Sequence, residues 1–91
     1  MAQSFEETER SLGAMLADLS GVLSSEERAE VVQFIDVGEY GVALETLAAL
    51  IVEEGKRIPL SIFERIVGLA DSMGLQEAIP SAALRDQVGP L

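Results

Sequence analysis

Asp36-Val37-Gly38-Glu39-Tyr40-Gly41-Val42-Ala43-Leu44-Glu45-Thr46-Leu47 is the stretch from which the fold can be read. Gly38 follows Val31, Val32, Phe34 and Ile35, whose spacing is helical, and it fits the left-handed position that closes a helix. Beyond it, Tyr40, Ala43, Leu44, Leu47, Leu50 and Ile51 recur at helical spacing, with Ala48, Ala49 and Val52 widening the stripe. The stretch therefore predicts the end of one helix, a tight glycine turn and the start of another over about 39–54. So broad an apolar face predicts a central helix with neighbours on more than one side.

Outward from this corner the pattern stays helical. Ser24-Ser25-Glu26-Glu27 has the spacing of a capping box, in which the serine and glutamate side chains satisfy free amides of the first turn. Ser4-Phe5-Glu6-Glu7 carries the same signal. Leu12, Met15, Leu16, Leu19, Val22 and Leu23 follow it on one face, predicting a first helix over about 5–23, with Glu6 and Arg10 spaced to pair. Gly55 stops the third helix, and Lys56-Arg57 stand where cations complement a helix end. Pro59 opens the fourth helix, and Ser61-Ile62-Phe63-Glu64 reads as a third capping box. Ile62, Phe63, Ile66, Val67, Leu69, Ala70 and Met73 supply its apolar ridges, and Gly74 closes it with Leu75 folding back. Residues 76–91 contain Pro80, Gly89 and Pro90. They predict a fraying tail with at most a short turn of helix over 82–88. No stretch shows strand-like alternation. The expected fold is all-α: a single domain, a small four-helix bundle with antiparallel hairpins, its core over 5–75 and its C-terminal tail loose.

Composition narrows the function. Ninety-one residues with 48% hydrophobic content suffice for one small core. Sixteen acidic residues against six basic ones give a net charge of −10, which disfavours nucleic acid and favours a cationic protein partner. Excess carboxylate that merely keeps a small protein in solution is the plainer reading. The chain has no Cys and no His, so thiolate chemistry, disulfides and His-based triads are excluded. An acidic N-terminus without a secretory pattern and apolar runs too short to span a bilayer predict a soluble, cytoplasmic protein with no membrane partner.

Candidate sites are few. Gly38-Glu39-Tyr40-Gly41 has the G-x-x-G spacing of a nucleic-acid clamp, but Glu39 would repel phosphate and no flanking cation is present, so the helix-corner reading outweighs it. Glu26/Glu30 and Glu53/Glu54 are carboxylate pairs without the histidines of a di-metal bundle or the pattern of a calcium loop, and read as solvated helix faces. Lys56 beside Arg57 offers no convincing general base. An enzyme is not expected, nor a cofactor or a metal. Tyr40 either packs the corner or anchors an interface, tyrosine being frequent among binding hot spots. The helix dipole accounts for Glu39 alone. Asp36 and Glu45 lack that explanation and fit an acidic patch facing a basic partner.

Phe34 through Leu47, then Glu53-Glu54-Gly55, a Pro/Ser helix start and Leu69-Ala70-Asp71-Ser72-Met73-Gly74-Leu75, resemble the MafI-type immunity proteins of bacterial polymorphic toxin systems. The resemblance covers roughly residues 24–75 and rests on helix-corner motifs. It implies a small acidic helical protein that binds and neutralises a cognate toxin, often a nuclease, with Asp36, Glu39, Tyr40 and Glu45 as partner contacts. The alternative is a non-catalytic helical module that self-associates or scaffolds another protein. Its supporting feature is the apolar surplus at Val42, Ala49 and Val52.

Overall fold

A computed structural model describes residues 5–89. Five helices follow in order: α1 Phe5–Asp18, α2 Ser25–Asp36, α3 Tyr40–Glu53, α4 Leu60–Met73 and α5 Ser81–Arg85. The all-α class is as the periodicity predicts. Among the described residues the only extended pairing is an isolated parallel bridge between Ile58 and Val88.

Helix boundaries follow from local chemistry. The capping box at α2 forms in full: the Glu27 amide donates to Ser24 Oγ at 3.1 Å, and the Ser24 amide donates to Glu27 Oε1 at 2.8 Å. At its far end Gly38 adopts φ +77°. There the Gly38 amide donates to the Ile35 carbonyl at 3.0 Å and the Glu39 amide to Phe34 at 2.8 Å, the paired bonds of a Schellman turn. The same pair recurs after α3, through Gly55 and Lys56, and after α4, through Gly74 and Leu75.

Three expectations are corrected. The first helix ends at Asp18 rather than near residue 23. Leu19 and Leu23 keep the core periodicity, but Ser20-Gly21 hold the chain poorly as helix and it tightens into turns. Ser61-Ile62-Phe63-Glu64 is not a capping box. Pro59, already extended at φ −72° and ψ 156°, is the cap residue, and Ser61 lies inside the first turn. Glu6 and Arg10 do not form one of the ion pairs found among the described residues. The start signal at Ser4 lies partly outside the described residues.

The order of contacts gives an up-down-up-down arrangement. Lys56, just past α3, reaches Glu27 in the first turn of α2, so α2 and α3 run antiparallel. Gly41 at the start of α3 lies against Leu75 and Met73 at the end of α4. Phe5 at the start of α1 meets Tyr40 at the start of α3, and Asp18 at its end pairs with Arg65 of α4 at 2.7 Å. Helix α3 touches all four others and buries Ala43, Leu44, Leu47, Ala48 and Ile51, the central role predicted for it.

The C-terminal segment is not loose. Ile79 and Leu84 are buried in the same core as Leu12, Leu47 and Ile66. Ile58 donates to the Gln87 carbonyl at 3.0 Å and accepts from the Gly89 amide at 3.1 Å, which fastens the chain end to the α3–α4 connection. The core therefore extends well beyond residue 75.

Candidate partner-binding surface

The α2–α3 corner is built before any partner arrives. Its Schellman turn fixes the backbone through Phe34, Ile35, Gly38 and Glu39. Gly41 lies beside the end of α4, where an added Cβ would make ordinary van der Waals contact with Leu75 Cδ1 at 3.4 Å. Of the G-x-x-G pair, only Gly38 has the left-handed backbone that calls for glycine.

Asp36 is the last residue of α2 and is exposed. Glu39 is exposed immediately before α3, and its carboxylate makes no capping hydrogen bond, so it stays available to an external group. Glu45 is exposed on α3. None of these three takes part in an ion pair among the described residues.

Tyr40 differs. It is half-buried, its hydroxyl donates to Glu9 Oε1 at 2.9 Å, and its ring lies 6.1 Å from that of Phe5 at an angle of 41°. This contact ties α1 to α3. The neighbouring Glu9 carboxylate favours the neutral phenol and raises its ionisation above that of free tyrosine. Tyr40 and Glu45 lie about 140° apart around the helix. The structure therefore brings Asp36, Glu39 and Tyr40 to one corner and turns Glu45 towards a different side of α3.

Two residues of this region escape the sequence reading. Val37 is 70% exposed and Phe5 is 78% exposed. Val37 carried a signal, because it falls about 120° away from Val31 around the helix and so lies off the buried stripe. Phe5 carried none: it is in phase with Leu12, and only its place at the first turn of α1 leaves it uncovered. Val42, read as surplus apolar surface, is 40% exposed, whereas Ala49 and Val52 are half-buried.

Among the described residues, no group of three or more carboxylates is arranged to hold a metal ion. No helix is long and apolar enough to cross a membrane. The chain matches no family model, no curated protein and no solved structure.

Proposed function

We propose that this protein is an immunity protein that binds a cognate bacterial toxin in the cytoplasm and neutralises it by covering a cationic, nuclease-type surface. The observation that carries the reading is the set of exposed carboxylates Asp36, Glu39 and Glu45, which neither cap a helix nor pair with a cation among the described residues. A surface that grips phosphate is basic, and a chain of net charge −10 is attracted to it. Covering such a site needs no catalytic group, only roughly 800 Å² from each partner. The whole chain exposes 5246 Å², so a single end of the bundle can supply that area. The resemblance of residues 24–75 to MafI-type immunity proteins points the same way.

The test is recovery of the partner from the native cell with the tagged protein as bait. A single basic polypeptide at near-equal amount is expected, whose toxicity the purified protein abolishes. Replacing Asp36 and Glu45 together by Lys should weaken that complex while the helical circular dichroism signal persists. Unchanged affinity in the folded double variant would remove these residues from the interface.

A further inference from the structure

Helix α3 is buried on one side and open on the other. Ala43, Leu44, Leu47, Ala48 and Ile51 form its buried side. Val42, Thr46, Ala49 and Glu53 lie opposite, within about 60° of one another around the helix, and Glu45 flanks them. Val42 is 40% exposed, Glu45 and Glu53 are exposed, and Thr46 and Ala49 are half-buried. Tyr40 stands outside this face, about 160° around the helix from Val42, and its hydroxyl is taken up by Glu9. Valine is a poorer helix former than alanine, so helix formation does not call for it at the exposed position 42.

The charge of the open face has one sign. Glu45 and Glu53 are the only charged residues of α3, and both stand on this side. Neither forms an ion pair among the described residues. They are two turns apart, about 12 Å along the axis, with Ala49 midway between them in sequence and around the helix. Glu45, Ala49 and Glu53 thus form one ridge of residues four apart, charged at its ends and low at its middle. Helix α4 differs, because the chain's own cations already serve it: its Arg65 pairs with Asp18, and Arg85 lies over its Phe63 ring at 6.0 Å.

We propose that the open face of α3 receives an amphipathic helix of the partner. That helix lays apolar side chains on Val42, Thr46 and Ala49 and sets two lysines or arginines, two turns apart, against Glu45 and Glu53. The inference deepens the immunity reading and rests on it for the identity of the partner. Charge selects the occupant: a second copy of α3 would bring only further carboxylates to the seam, and like charges face to face are unfavourable. Shape agrees, since the small side chain of Ala49 leaves room for a second helix axis to approach between the two carboxylates.

The probe is a synthetic helical peptide of leucine and alanine with lysines two turns apart, titrated into the full methyl-labelled chain. Methyl signals of Val42 and Ala49 should move, and those of Leu60, which is 46% exposed on α4, should stay still. An isomer of the same composition with its lysines on adjacent turns should bind more weakly. Glu45→Lys combined with Glu53→Lys should weaken the first peptide by about tenfold or more while the helical circular dichroism persists. The same variant should admit a peptide with glutamates in place of the lysines. Glu64→Lys combined with Asp71→Lys, an equal charge change at exposed positions of α4, should leave affinity within about twofold. Movement centred on Leu60, equal losses in both double variants, or no binding by the parent chain overturns the assignment. Sedimentation showing a dimer that Val42→Ser dissolves also overturns it, giving the face to a second copy. Failure here is distinct from failure of the immunity reading: a toxin recovered by the bait and bound equally well by the Glu45→Lys, Glu53→Lys variant would keep that reading and refute this face.

Discussion

Gly38 and Gly68 show that one substitution can act in opposite senses at two positions. Gly38 sits at φ +77°, where an L side chain is strained, so Gly38→Ala should cost about 1–2 kcal/mol in urea unfolding. Gly68 is exposed within α4, has ordinary helical backbone, and an added Cβ would meet nothing within 4 Å. Gly68→Ala should therefore stabilise by about 0.5–1 kcal/mol in the same measurement. The role of Gly38 was legible because the apolar period stops just before it. Glu27 gives a second prediction at this scale. The Ser24 amide, then the Lys56 ammonium, hold its carboxyl below the ordinary glutamate range. A lowered pKa in the fold means that its stabilisation is complete above the unfolded value near 4.5 and disappears as pH falls through the folded one. Glu27→Gln should lower Tm at neutral pH and flatten the acid limb of Tm against pH. An unaltered limb would place that acid sensitivity elsewhere.

Helix α5 carries the largest departure from the sequence reading. Pro80, Gly89 and Pro90 signal a frayed end, yet Leu84 is fully buried and Ile79 nearly so. A helix of five residues is too short to display a period, and what holds it is non-local: packing on α3 and α4 and the pairing of Ile58 with Val88. Leu84→Ala should accordingly cost about 2–5 kcal/mol, with the whole molecule unfolding in one transition. A loose tail would leave Tm unmoved. The false capping box at Ser61 has a comparable origin. Its spacing is right, but Pro59 already presets the extended entry, so the helix begins before the serine can cap it. Ser24 has no such competitor, and Ser24→Ala should remove about 1 kcal/mol.

For the molecule as a whole, periodicity sufficed for the helical class and for the central position of α3. The meeting of helix ends from distant parts of the chain was beyond it. Phe5 and Tyr40 are brought together only by the course of the bundle, and the exposure of Val37 is a property of the assembled chain. The exposure of Asp36, Glu39 and Glu45 was legible residue by residue, whereas the placing of Glu45 on another side of α3 from the corner required the helix to be set among its neighbours. With net charge −10 and two ion pairs among the described residues, self-repulsion outweighs what salt would screen away. Moderate sodium chloride should therefore raise Tm, and a fall would show that the ion pairs dominate. The Tyr40–Glu9 hydrogen bond has one more consequence. Tyr40 is the only tyrosine and the chain has no tryptophan, so all native ultraviolet emission above the phenylalanine band originates at the α1–α3 contact. The molecule carries its own lamp at the corner end, and its brightness will report, without any label, whatever settles there.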